Sequence, residues 1–87
     1  QITGNVFKGA ASSFSKMVNI IGGARMMVTN NAFDGLATQG VIIDATSDGC
    51  GIVGNCANVA TIGTRYTNNG TNTIGGVAGA TGLNSGV

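Results

Sequence analysis

GVIIDATSDGCGIVGNCANVATIG, residues 40–63, is the stretch whose reading decides the fold. It holds the densest β-branched run, Val41-Ile42-Ile43, and both cysteines, Cys50 and Cys56. A second apolar run, Ala57-Asn58-Val59-Ala60-Thr61-Ile62, follows at once. Val, Ile and Thr suit a pleated, half-buried surface, and Asp, Ser and Gly punctuate such runs. The stretch therefore reads as two strands flanking a small loop.

The segment CGIVGNC admits one intramolecular disulfide, Cys50–Cys56, and Gly51 and Gly54 let so small a ring turn sharply. In the chain-entropy model such a ring is worth roughly 2 kcal/mol. A disulfide implies an oxidising compartment. The alternative is a pair of free buried thiols. A metal is disfavoured, because zinc wants three or four Cys or His ligands and the chain has no histidine. Asp44 and Asp48 bracket Ala45-Thr46-Ser47 and read as turn chemistry, since the loop lacks EF-hand spacing.

Working toward the N-terminus, Ala24–Thr29 is a short apolar run of either type. In it Met26 and Met27 read as core filler. Asn30-Asn31 and Asp34-Gly35 read as turns, with Phe33 and Leu36 plugging the core between them. Phe7, Ala10, Ala11, Phe14, Met17, Val18 and Ile21 recur at three and four residues, and Gly22-Gly23 follows as a stop. This spacing predicts an amphipathic helix over about 8–21, packed on a sheet.

Toward the C-terminus, Asn69-Gly70 between Thr-rich runs predicts a hairpin with a type I′ turn, pairing Asn68 with Thr71, Tyr66 with Thr73 and Ile62 with Val77. Asn69-Gly70-Thr71 is also a glycosylation sequon. The tail GGVAGATGLNSGV reads as extended or loosely ordered. The expected fold is mainly β, a small antiparallel sheet or a stacked β architecture, with one N-terminal helix. It forms a single domain over 1–87, with a helical segment 1–23, a β-rich part 24–79 and a Gly-rich tail 80–87. No strict internal period stands out.

A chain of 87 residues is marginal unless stapled or assembled. Only seven side chains carry charge: Lys8, Lys16, Arg25, Arg65, Asp34, Asp44 and Asp48. Mean hydropathy is +0.30 and proline is absent, which excludes ordinary disorder. Four scattered basic residues supply no nucleic-acid patch. No run of 18 apolar residues exists, so no helical membrane span is expected. The chain begins at Gln1, which suits a mature, secreted product.

No catalytic constellation emerges. Gly49-x-Gly51-x-x-Gly54 matches a dinucleotide fingerprint, but a cysteine ring stands where the helix belongs, and no acid follows Asp48 to hold a ribose. Acid–base work needs His or tuned carboxylates, and a nucleophilic cysteine needs a base. Neither an enzyme nor a cofactor is expected.

The Gly-Asn, Asn-Gly and Thr-rich turns over about residues 38–87 give a texture similar to secreted bacterial fibre subunits and β-helical adhesins. The similarity is compositional and carries no family motif. Charged or proline gatekeepers normally keep apolar strands from pairing with copies of themselves, and here they are nearly absent. The leading expectation is an extracellular subunit that self-assembles into a filament. Its partners are copies of itself, through Val41, Ile42, Ile43, Val59, Ile62, Phe7, Phe14 and Ile21. The alternatives are a membrane-active, bacteriocin-like peptide using the 8–21 helix, and an adhesin or ice-binding module using the Thr-rich face.

Overall fold

A computed structural model describes residues 1–10, 15–75 and 84–85. Eight strands occur in order: β1 (Ile2–Thr3), β2 (Val6–Ala10), β3 (Lys16–Ile20), β4 (Met27–Thr29), β5 (Ala32–Ile43), β6 (Gly51–Val53), β7 (Cys56–Ala57) and β8 (Ile62–Asn68). Every pairing is parallel. Ile2 pairs with Val28 and Val28 with Ile52, steps of 26 and 24 residues. Val18 pairs with Val41 and Val41 with Tyr66, steps of 23 and 25. A chain that returns to pair with itself every two dozen residues, always in the same direction, is a solenoid of stacked coils.

Three rows of strands make its wall. Row A is β1, β4 and β6. Row B is β2, the first half of β5, and β7; row C is β3, the second half of β5, and β8. Alternation along each strand sends every second residue inward, and parallel register stacks like positions. Val28 rests on Ile52, Val18 on Val41 and Tyr66, and Ile20 on Ile43. Phe7 lies over Phe33 with ring centroids 5.1 Å apart, and Tyr66 meets Phe33 edge-on at 6.3 Å. Val28, Val41, Ile43 and Ile52 are fully sealed. Each such side chain contributes about 1.5–3 kcal/mol by leaving water.

Corners between rows need left-handed backbone, and the sequence supplies it in columns. Gly4, Asn30 and Gly54 turn from row A to row B; Arg25, Gly49 and Asn72 turn into row A. Asn and Gly are the residues that take positive φ at least cost. Where row C leads toward row A, Asp44 Oδ1 accepts from the Thr46 hydroxyl at 2.7 Å, the Thr46 N–H, the Ser47 hydroxyl and the Gly22 N–H. The expected Thr-Ser turn is thus present, and it also ties successive coils together. The hydroxyl bond from Thr46, with help from Gly22 and Ser47, holds the Asp44 carboxyl below its ordinary range.

Coil length varies, and one place absorbs the variation. Ala10 aligns with Leu36 and Lys16 with Gln39, so five residues join β2 to β3 where two lie between Leu36 and Gln39. Phe33 aligns with Ala57 and Ala37 with Ile62, so that the third coil carries one residue more than the second over this arc. The seam between rows B and C takes up the slack in both coils.

The β class is as expected; several details are corrected. The helix over 8–21 does not form: the described part of that segment is strand β2 and strand β3. Lys8 and Asn19 point outward while Gly9, Val18 and Ile20 are buried, the two-residue alternation of a strand. Backbone pairing with β5 outweighs the local spacing, which Ser and Asn support weakly in a helix. Residues 11–14, Phe14 among them, lie outside the described set.

The sheet is parallel, not antiparallel. The Asn69-Gly70 hairpin does not form either. Neither residue has the positive φ that a type I′ turn requires, and β8 pairs with β5. Thr71 and Ile74 instead bridge in parallel to Asp48 and Gly51; Val77 lies outside the described residues. Asp34-Gly35 is no turn but lies inside β5, where Gly9 and Gly35 meet backbone to backbone. Phe33 is core as expected, whereas Leu36 is exposed. After β7 the chain turns on Asn58 before β8 begins, so Ala57–Ile62 is not one strand. An internal period of about two dozen residues exists after all. In the tail, Asn84 is buried and Ser85 bridges to Cys56.

Candidate functional site

The most organised polar feature is a file of asparagines at the row A–row B corner. Asn5, Asn31, Asn55 and Asn84 occupy the same place in successive coils. The Asn5 N–H donates to Asn31 Oδ1 at 2.9 Å, the Asn31 N–H to Asn55 Oδ1 at 2.9 Å, and the Asn55 N–H to Asn84 Oδ1 at 3.1 Å. Each Nδ2 reinforces the same step, at 3.2, 3.1 and 3.0 Å. Each also reaches back to a carbonyl of the preceding coil: Asn31 to Ile2, Asn55 to Val28 and Asn84 to Ile52. The corner would otherwise bury backbone N–H groups that no strand partner reaches; the side chains supply the missing acceptors. The signal in the sequence is the recurrence Gly4-Asn5, Asn30-Asn31, Gly54-Asn55, which a period search at 24–26 residues would find.

The two ends of the solenoid form the second feature. Among the described residues β1, β2 and β3 have ladder partners on one side only. The core is less sealed there: Ile2, Phe7 and Met17 are half-buried, while Val28, Phe33 and Val41 in the next coil are at most 2% exposed. At the opposite end β8 pairs with β5 alone. Ser85 closes part of that end, since its carbonyl accepts from the Ala57 N–H at 3.2 Å and the Tyr66 hydroxyl at 2.9 Å. Burial, reinforced by the nearby Cys56 thiol and opposed by Arg65, pushes the Tyr66 phenol up to about 12.

The expected assembly residues divide. Val41, Ile43 and Ile62 are core residues with no side-chain surface to offer, and Ile42 is half-buried. Ile21 and Val59 are exposed, at 71% and 58%, and Phe7 faces the less sealed end. Val6, missed as a candidate, is the most exposed large apolar residue at 76%. Cys50 and Cys56 are separate free thiols, Cys50 buried in the core and Cys56 exposed. The residues between them form strand β6 and the Gly54-Asn55 corner rather than a closed ring.

On the outer face of row B, Lys8 aligns with Asp34, and Asn58 Nδ2 donates to Asp34 Oδ1 at 2.9 Å. That bond, the Gly35 N–H and the Lys8 charge hold the Asp34 carboxyl below its ordinary range. Among the described residues no group of three or more His, Cys, Asp or Glu is placed to hold a metal, and no helix is long and apolar enough to cross a membrane. No family model, curated protein or solved structure matches the chain.

Proposed function

We propose that this chain is a secreted structural subunit that builds an extracellular filament by stacking its coils end on end. One observation carries the reading: among the described residues β1, β2 and β3 have ladder partners on one side only, over a core that is half-covered at Ile2, Phe7 and Met17. An unpaired strand edge is a template for another strand, and solenoids that stay single cap it. This chain has seven charges and no proline with which to guard that edge. Another solenoid coil is the surface that fits it, and a second copy supplies one.

The test is growth of the purified chain with concentration, followed by light scattering and electron microscopy. Fibres should form without a cofactor and give a reflection near 4.8 Å along the fibre axis, the spacing of stacked strands. A monodisperse monomer at every attainable concentration would refute the reading. The membrane-active alternative loses its support with the 8–21 helix. An adhesin reading keeps one: Lys8, Asp34 and Asn58 line a flat outer row suited to an extended polar polymer such as a glycan. Asn58→Ala would weaken glycan retention there and leave fibre growth unchanged.

A further inference from the structure

Asp34-Gly35, Asp48-Gly49 and Asn69-Gly70 each place a carboxyl or amide side chain directly before glycine. Such pairs carry a latent reaction. The glycine nitrogen, with no Cβ beside it, can close on the preceding side-chain carbonyl carbon. The fold blocks this at two of the three. Asp34 lies inside β5 with its carboxyl held ionised by Asn58, the Gly35 N–H and Lys8, and a carboxylate is a poor electrophile. At the second pair, Asp48 Oδ1 accepts from Asn72 Nδ2 at 3.0 Å, and the Gly49 N–H donates to Thr71 O at 2.9 Å. Asn69 differs. Its amide is neutral and exposed, and it makes no hydrogen bond among the described residues. Among those residues the Gly70 N–H has one acceptor, Asn68 Oδ1 at 3.3 Å, which is long for an N–H···O bond. The glycine is also required there: a Cβ at position 70 would crowd the Thr73 methyl at 2.9 Å and Ser47 O at 3.0 Å.

We infer that Asn69 is a site of self-modification in the folded protein, and that its conversion loosens the third coil from the second. The Gly70 nitrogen gives up its proton and bonds to the Asn69 side-chain carbonyl carbon, and ammonia leaves. Water then opens the resulting five-membered imide at either carbonyl, giving aspartate or isoaspartate. No enzyme, oxidant or cofactor enters the balance, and nothing in it depends on end-on stacking. The corner makes the isoaspartate consequential. Ile20, Ile43 and Asn68 stand in register, and so do Ala24, Asp48 and Thr71. Between those columns the first coil spends Ile21-Gly22-Gly23, the second Asp44-Ala45-Thr46-Ser47, and the third Asn69-Gly70 alone. This shortest corner is pinned at both sides, by the Asn69 N–H on Ile43 O and the Thr71 N–H on Ser47 O, each at 2.9 Å. Isoaspartate routes the main chain through the side-chain carbons and so adds one atom between the two pins. The new carboxylate also stands in the column of Asp44, whose own carboxyl is held ionised.

The experiment ages the folded wild-type chain in neutral and mildly alkaline buffer, beside a sample kept unfolded in urea. Peptide mass spectrometry locates each amide-to-acid exchange, and an isoaspartyl methyltransferase labels isoaspartate. In the folded sample conversion should concentrate at Asn69 and speed up with pH, because the attacking nitrogen must lose its proton. Asp34 and Asp48 should isomerise in the unfolded sample alone. The folded isoaspartate fraction, separated by ion exchange, should melt about 4–8 °C below fresh protein, the shift that losing one backbone hydrogen bond gives in a chain of this size. Asn69→Gln, whose longer side chain disfavours ring closure, should stay unconverted. Asn69→Asp supplies the charge without the added atom and should melt close to wild type, since exposed charges interact weakly. Asn69 surviving in the folded chain while it converts in urea would overturn the site. Isoaspartate protein that melts with fresh protein, or no lower than Asn69→Asp, would overturn the loosening of the corner.

Discussion

Asn55→Ala tests whether the asparagine file holds the solenoid together. Asn55 is 2% exposed, and its side chain serves both neighbouring coils. Its Oδ1 accepts from the Asn31 N–H and Nδ2; its Nδ2 donates to Val28 O at 2.9 Å and Asn84 Oδ1 at 3.0 Å. Alanine leaves the buried Asn31 N–H without an acceptor, which costs about 1–3 kcal/mol, and forfeits the bond to Val28 O, worth about 1 kcal/mol net. The vacated volume adds a cavity cost of the order of 1 kcal/mol. The sum is about 3–5 kcal/mol, a large share of the roughly 5–15 kcal/mol that holds a domain together. Asn5→Ala makes the internal comparison. It removes the same side chain from the end of the file, where Oδ1 holds no donor and the residue is exposed, so it should cost about 1 kcal/mol of monomer stability. Urea unfolding followed by circular dichroism, below the concentration at which polymer forms, measures both. An Asn31→Ala/Asn55→Ala pair should fall well short of additivity, because the two share one bond. A cost below about 1 kcal/mol for Asn55→Ala, or one equal to Asn5→Ala, would refute the assignment of corner stability to the file.

Three further outcomes are expected. Gly35→Val should prevent folding or cost more than about 4 kcal/mol, because Gly35 has φ +77° and any Cβ would drive into the backbone of Gly9; wild-type-like melting would contradict the backbone contact. Stability should fall as pH rises from about 10 to about 12, since the unfolded chain releases the Tyr66 proton in this window while the folded chain retains it. The loss should be of order 1 kcal/mol after screening by water, and Tyr66→Phe should abolish that component of the slope in pH-dependent urea titrations. In the folded protein Cys56 should react with a thiol reagent at once and Cys50 only on unfolding; mass spectrometry finding the two joined would contradict the geometry.

The β character was legible because Val41-Ile42-Ile43 announces a strand locally, and this run lies in β5. Phe33 in the core and the Asp44 turn were legible for the same reason, since each depends on near neighbours. What failed depends on distant ones. Asn69-Gly70 carries a hairpin signal, but β8 finds its partner in β5, some 25 residues upstream. Phe7, Ala10, Phe14 and Met17 fit a helix face because Gly9 and the alanines blur a two-residue alternation into a three-four one. The period escaped notice because coils of unequal length share few residues: Phe7 and Phe33 repeat, and then Ala57 takes the same place.

The uneven seam between rows B and C has a practical consequence. Five residues cross it in the first coil and two in the second, yet Val18, Val41 and Tyr66 still stack in one column. Nothing downstream counts how many residues crossed. A foreign peptide spliced between Ala10 and Lys16 would leave the columns on either side in register, whereas a single added residue at Gly54-Asn55 would break the file.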